Sequence, residues 1–255
     1  MTMPDGWLAD CANDLKGSLR FLTRLPMGRA TSSDDSALAQ TAWAFPLAGL
    51  VVGVIGAAAY VLAYELRLPA WVAAALAVAA TLTVSGALHE DGLADTADGF
   101  GGGDTRERKL EIMRDSRIGT YGVCALILSM LLRVAALAAF LNPAAAVWAL
   151  IAAHGGARAT LPLFMALVPP ARRDGLAYAA GRPSSERVVT ASVLGILILA
   201  IALGPAHGIA ALILLLVVIA LMAWLSLVQI EGQTGDVLGA LEQASEIVIL
   251  LVALH

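Results

Sequence analysis

Six apolar runs of membrane-spanning length, near residues 43–64, 70–88, 121–141, 144–168, 188–205 and 207–228, constrain this chain more than any other feature. Stretches of about 20 apolar residues enter lipid as helices, because a spanning backbone finds no water there for its N–H and C=O groups. A seventh, weaker run lies near 237–254. A chain that is 59% hydrophobic and only 14% charged, with mean hydropathy +0.81, is not an ordinary soluble domain. The expected fold is all-α: a polytopic transmembrane helical bundle of six to seven spans, with residues 1–255 as a single integral-membrane domain. Solenoid repeats and low-complexity tracts are absent. Cys11 and Cys124 are isolated and lack metal-ligand spacing, so they read as reduced thiols. Residues 1–35 carry no uncharged run ending at a cleavage site, so a cleavable signal peptide is not expected.

Basic residues alternate between the connecting segments. Lys16, Arg20, Arg24 and Arg29 lie in the N-terminal segment. Arg106, Arg108, Lys109, Arg114 and Arg117 lie in the 89–120 loop, and Arg172, Arg173, Arg182 and Arg187 in the 169–187 loop. The intervening turns hold Arg67 alone, then no Lys or Arg at Asn142-Pro143 and none at Gly204-Pro205. By the positive-inside rule the N-terminus and the basic loops face the cytoplasm, which implies a multi-pass protein of the cell inner membrane. Over residues 13–29, Leu15, Leu19 and Leu22 alternate with Lys16 and Arg20 at helical spacing. That pattern suits an N-terminal amphipathic interfacial helix on the anionic leaflet, and equally a helix packed on the cytoplasmic loops. Gly49, Gly53 and Ala57 form a small-residue ladder expected to serve helix packing.

The polar chemistry concentrates behind the second run. Asp91, Asp95 and Asp98 are spaced i, i+4 and i+7, which on a helix places three carboxylates within an arc of roughly 60°. Like charges at that density raise one another's pKa unless a cation sits among them. Oxygen-only ligands on a rigid helix suit Mg²⁺ or Mn²⁺ together with substrate phosphates. Glu90, about 100° from Asp91 around a helix, is a fourth candidate ligand, whereas His89 points away and reads as a hydrogen-bonding residue. The alternative is a solvated acidic loop. Downstream, Arg114, Asp115, Arg117 and Thr120 gather guanidiniums and hydroxyls at the mouth of the third run. They suit phosphate recognition or simple topological anchoring. The glycines at 99 and 101–103 suit either a phosphate loop or a hinge.

Three charges lie inside apolar runs: Arg133, Arg158 and Glu246. Such charges need a partner or a cavity. An ion pair among them and an anion-holding cavity floor at Arg158 are the two readings. Thr234 and Asp236 stand in a glycine-punctuated turn before the last run. Asp236 either reaches toward the acidic cluster or caps the following helix.

Four blocks carry a family resemblance: Phe21–Pro26, Glu90–Gly99, Asp115–Gly122 and Thr234–Ala240. They resemble, in order and over nearly the whole chain, the adenosylcobinamide-GDP ribazoletransferase (cobalamin-5′-phosphate synthase) family. The 170–205 region adds only hydropathy. The resemblance implies an Mg²⁺-dependent membrane enzyme of cobalamin nucleotide-loop assembly. Its small-molecule substrates would be adenosylcobinamide-GDP and α-ribazole or its 5′-phosphate, and its products adenosylcobalamin or its 5′-phosphate and GMP. Glu90, Asp91, Asp95 and Asp98 are then the expected metal ligands. Arg114, Asp115, Arg117, Thr120, Arg158 and Thr234 are expected to bind substrate, and Asp98 or Asp236 to act as base. The bilayer is an expected partner, nucleic acid is not, and a homo-oligomer is compatible with the sequence. A CDP-alcohol phosphotransferase is the nearest rival, but Thr96-Ala97-Asp98 follows Asp95 without the Ala-Arg of that family. An ion-coupled transporter would need inverted repeats, which the sequence lacks.

Overall fold

The computed structural model describes residues 6–28 and 38–255. Arg29, one of the N-terminal basic residues, lies outside them. The elements are α1 (Trp7–Leu22), α2 (Leu38–Thr41), α3 (Phe45–Glu65), α4 (Ala70–Ser85), α5 (Leu88–Gly102) and α6 (Arg106–Ile112). They continue as α7 (Thr120–Ala139), α8 (Pro143–Leu167), α9 (Leu176–Ala180), α10 (Ser185–Ile230) and α11 (Gly235–Val252). No strand forms among the described residues; one isolated parallel bridge joins Pro170 to Gln233.

Local chemistry sets the helix starts. Pro143 opens α8, and the Asn142 side chain accepts from the Ala144 N–H at 2.9 Å. Thr105, Ser184 and Thr234 cap α6, α10 and α11 in the same way, each accepting an otherwise orphaned N–H. Within α10 the helical course breaks at Gly204 (φ 77°, ψ 167°), followed by Pro205, where the sequence predicts a turn between two runs.

Helix α8 is the central post: 78% of its apolar window is buried, against 22% for α10 and 28% for α7. The small-residue ladder packs as expected. Gly49 and Gly53 of α3 lie so close to α8 that a Cβ on Gly53 would stand 2.8 Å from the Leu150 carbonyl oxygen. Large apolar side chains of α7 and α10, among them Leu128, Leu131, Ile201 and Ile213, point outward and are well exposed. Such a girdle is stable against lipid and not against water.

Four described helices or helix runs are long and apolar enough to cross a membrane: Leu38–Glu65, Thr120–Ala139, Pro143–Leu167 and Ser185–Ile230. They make this a helical membrane protein. Counting the bent pair α4–α5 as one span gives a fifth, fewer than the six to seven expected. The physical reasons are local. Helix α4 has only 16 residues and α11 carries Asp236, Glu242 and Glu246, while the Ser185–Ile230 run counted as one is two helices meeting at Gly204.

The turn between α4 and α5 positions the site. Gly86 (φ 66°) and Ala87 (φ 55°) are both left-handed, and the chain leaves α4 at 90° to begin α5. Arg24 presses on this corner: its N–H donates to the Val84 carbonyl at 2.7 Å, and its side chain covers Gly86. Helix α5 thus leaves the apolar layer carrying four acidic side chains, Glu90, Asp91, Asp95 and Asp98.

Candidate active site

Helices α5 and α11 cross at a pair of glycines. A Cβ on Gly92 would lie 2.8 Å from the Asp236 carbonyl oxygen, and one on Gly239 would lie 3.0 Å from the His89 carbonyl oxygen. This approach brings Asp236, at the start of α11, beside Asp91 and Asp95 of α5. The expected reach of Asp236 toward the acidic cluster is therefore what the backbone produces. Thr234, rather than Asp236, caps α11: its hydroxyl oxygen accepts the Val237 N–H at 3.3 Å, and its O–H donates to Asp236 Oδ2 at 3.1 Å.

The cluster is electrostatically uneasy. Burial, then the charges of Asp236, Asp91 and Asp98, push the Asp95 carboxyl up to about 7. Asp236 is raised too, chiefly by burial, while its bond from Thr234 and the nearby Arg172 guanidinium work against the rise. Among the described residues the ligand atoms that converge within 4.8 Å belong to His154, Glu242 and Glu246, not to these aspartates. Arg172 was not singled out by the sequence reading. It lies in the 168–175 segment, and its Nη1 is buried without a hydrogen-bond partner. Only its tertiary position beside Asp236 reveals it.

Asp98 has a different environment from its neighbours. Its Oδ2 accepts the Gly119 N–H at 2.7 Å and its Oδ1 the Gly122 N–H at 2.8 Å, so it caps α7 from another helix. A Cβ on Gly119 would lie 2.5 Å from Asp98 Oδ1. The two glycines of the Asp115–Gly122 block are there because a carboxylate sits on their backbone. This contact seats the block against the C-terminal half of α5. Within it Asp115 and Arg117 form a bidentate pair, Nη2 to Oδ2 at 2.6 Å and Nε to Oδ1 at 3.0 Å. Hydrogen bonds from Arg117 hold the Asp115 carboxyl down at about 2. Arg114 donates to both oxygens of Asp174 at 2.6 Å, and Thr120 opens α7 with an exposed side chain. All four are surface groups beside the cluster.

Two expected site residues are drawn into a different assembly. Glu90, expected as a metal ligand, turns away from the aspartates: its Oε1 takes Arg133 Nη1 at 3.0 Å and Gln243 Nε2 at 3.1 Å. Arg158, expected to hold substrate, is 1% exposed and forms an ion pair with Glu242, Nη1 to Oε1 at 2.6 Å. Glu246 pairs with Arg133 at 3.2 Å and faces His154 Nδ1 at 3.3 Å. The ion-pair reading of these intramembrane charges is the one the geometry supports, and the cavity-floor reading of Arg158 is corrected. Opposite charges on α5, α7, α8 and α11 meet because none of them can stay alone in a low-dielectric interior. Glu242 and Gln243 were missed in the sequence, where they look like ordinary polar residues of a helix entrance.

Arg106 closes the polar face. It donates to the Ile230 carbonyl at 3.1 Å and to the Ala171 carbonyl, and pairs with Glu231 at 3.2 Å. It ties the turn before α11 to the segment carrying Arg172. The Gln233 N–H to Pro169 and Ala171 N–H to Gln233 bonds, both 2.8 Å, complete that tie.

Carboxylates and arginines gathered at one polar face of an all-helical protein are groups suited to phosphate-bearing substrates. Residues 14–254 match the model of the cobalamin-5-phosphate synthase family, and the chain belongs to that family. It is 57% identical to an adenosylcobinamide-GDP ribazoletransferase of Bradyrhizobium diazoefficiens, over 94% of this chain and 92% of the relative. Relatives of the same name from Mesorhizobium japonicum (51% identical, 94% and 92% covered) and Azorhizobium caulinodans (47%, 93% and 94%) are also similar to it. No solved structure matches the chain.

Proposed function

We propose that this protein joins adenosylcobinamide-GDP to α-ribazole or α-ribazole 5′-phosphate, giving adenosylcobalamin or its 5′-phosphate and releasing GMP. This is a late step of cobalamin biosynthesis. Family membership supports the substrates. The observation that carries the chemistry is the α5–α11 crossing, which sets Asp236 beside Asp91 and Asp95.

Asp91 and Asp95 would hold Mg²⁺, which would supply positive charge against the pyrophosphate oxygens. Asp236 is the preferred base, because both Asp98 oxygens are committed to backbone N–H groups. The ribazole hydroxyl oxygen attacks the cobinamide-side phosphorus and its proton passes to Asp236. The bond from that phosphorus to the GMP oxygen breaks, and GMP leaves with the bonding electron pair. Arg114, Arg117 and Arg172 would offset the charge on the leaving group, the first two after exchanging their carboxylate partners for phosphate. Asp115 and Thr120 support this edge, and Thr234 orients Asp236.

The protein is further proposed to reside in the inner membrane with the basic loops cytoplasmic, where nucleotides are. Counting α4, α11 and the two halves of α10 about Gly204 as separate crossings gives seven. Helix α1 turns Ser18, Leu19 and Leu22 into the protein and leaves Leu8, Asn13 and Lys16 exposed, which supports the reading of a helix packed on the rest of the chain.

The decisive assay is purified protein with Mg²⁺, adenosylcobinamide-GDP and α-ribazole, reading GMP and the corrinoid product. Asp91→Asn and Asp95→Asn are expected to abolish Mg²⁺-dependent turnover while the protein stays folded in detergent. Near-normal rates in either variant would sink the metal assignment. Turnover of CDP-diacylglycerol instead would reassign the enzyme.

A further inference from the structure

Asp174 stands between two arginines at the polar face. Its Oδ1 lies 2.6 Å from Arg114 Nη2 and 3.7 Å from Arg172 Nε, and its Oδ2 lies 2.6 Å from the same Arg114 nitrogen. Neither guanidinium is well used. Arg114 serves both oxygens from one nitrogen, which leaves its Nη1 and Nε groups without a partner among the described residues. Arg172 reaches Asp174 only at ion-pair range, and its buried Nη1 has no hydrogen-bond partner. A guanidinium presents its N–H groups as a planar fork that two oxygens of one anion can fill side by side. One carboxylate cannot fill two such forks, whereas the oxygens of a phosphate group can.

The place of this contact in the fold gives it a role. Arg114 lies in the α6–α7 connection, whose far end Asp98 holds through the Gly119 N–H. Asp174 lies in the segment tied to Gln233 by the Pro169 and Ala171 backbone bonds, just ahead of Asp236. The Arg114–Asp174 contact therefore joins the two segments that flank the carboxylates, one beside Asp98 and one beside Asp236. It is also an easy contact to open. The Asp174 side chain is 63% exposed and that of Arg114 52%, and pairs so well solvated contribute little.

We propose that Asp174 is an internal competitor for an anion site formed by Arg114 and Arg172, and that it sets the charge an anion needs to enter. The carboxylate carries one negative charge. A monoanion that replaces it gains no Coulombic energy from the exchange. A phosphate-type dianion gains from both guanidiniums and fills the donors that Asp174 leaves idle. Arg114 and Arg172 then hold the anion from the two sides of the carboxylate cluster, and Asp174 turns to solvent. The proposal rests on the transferase reading above for its substrate. It adds to that reading a specificity-determining residue that takes no part in bond making.

The test uses full-length protein in detergent with EDTA, so that the arginines alone hold the probe. Calorimetry with inorganic pyrophosphate should show binding to Asp174→Ala about two- to fivefold tighter than to wild type. Arg114→Gln and Arg172→Gln should each weaken it at least about tenfold. Adding Asp174→Ala to Arg114→Gln should give no gain, because the competition runs through Arg114. Glu107→Gln, the same charge change outside the contact, should give none either. Dimethyl phosphate, a monoanion, should bind Asp174→Ala and not wild type. In turnover with Mg²⁺, Asp174→Ala should lower KM for adenosylcobinamide-GDP and leave KM for α-ribazole unchanged. Unchanged pyrophosphate affinity in a folded Asp174→Ala variant overturns the proposal, as does an equal gain from Glu107→Gln or in the Arg114→Gln background, while wild-type GMP release upholds the transferase reading. The expected pyrophosphate pattern with no GMP release would overturn the transferase reading and leave an anion site guarded by Asp174.

Discussion

Asp98 shows how much a single carboxylate can organise. Its two oxygens satisfy the Gly119 and Gly122 N–H groups, so it joins the C-terminal half of α5 to the start of α7. Asp98→Ala leaves two donors without their partner and is expected to cost about 1–3 kcal/mol for each one left unsatisfied. Asp98→Asn, which keeps one acceptor, should cost less; thermal unfolding in detergent compares the two. Asp95 makes a prediction with the opposite character. Its carboxyl titrates near 7 in the folded protein, above the ordinary carboxylate range, so the folded state holds this proton more tightly than the unfolded chain. Stability from this group is full at acidic pH and is lost as pH rises through about 7. Unfolding temperature in EDTA should therefore fall over that range, and Asp95→Asn should remove that part of the slope. Saturating Mg²⁺ should flatten the slope as well, and a flat profile in EDTA would contradict the crowding of acids around Asp95. The spacing of the three aspartates made their shared face legible in the sequence, because helical periodicity is a local property. The fate of Glu90 was not legible. It adjoins Asp91 in sequence, yet its partner Arg133 lies 43 residues away, and only packing decides between them. Asp98's partners are backbone amides, which leave no side-chain signature beyond two glycines.

At the scale of elements, the site depends on how closely α5 and α11 approach. Gly92 faces the Asp236 backbone with no room for a methyl group: its Cβ would stand 2.8 Å from a carbonyl oxygen and 3.0 Å from Cα. Gly92→Ala must push the helices apart and shift Asp236 relative to Asp91 and Asp95. A displacement approaching 1 Å is expected to reduce kcat on the order of 100-fold, with much less effect on unfolding temperature. Steady-state rates set against thermal melts check this. The sequence showed both helices and both glycines but not that the glycines meet, since crossing partners are not encoded in spacing. The break at Gly204-Pro205 was legible, because Pro after a left-handed glycine interrupts any helix. The 90° corner at Gly86-Ala87 was not. Ala87 gives no composition signal for a left-handed backbone, and the apolar run simply continues to Leu88.

For the whole molecule, the alternation of basic loops predicts one polar face on the cytoplasmic side. Single cysteines introduced into a variant lacking Cys11 and Cys124 test this. In intact spheroplasts a membrane-impermeant maleimide should label Asn142→Cys but not Asp104→Cys, and lysis should expose the latter. Labelling of Asp104→Cys from outside would invert the topology and place the carboxylates away from the nucleotide pool. The buried pairs Arg133–Glu246 and Arg158–Glu242 also carry a consequence for how the molecule is made. Ribosomes deliver α7 and α8, with their arginines, well before α11, with its two glutamates. Glu90 is already present to receive Arg133, but Arg158 has no carboxylate partner until Glu242 emerges. The insertion machinery must therefore hold α8 in a sheltered, partly hydrated setting until nearly the whole chain is synthesised. Any chain halted before Gly235 would present quality-control proteases with an uncompensated intramembrane cation.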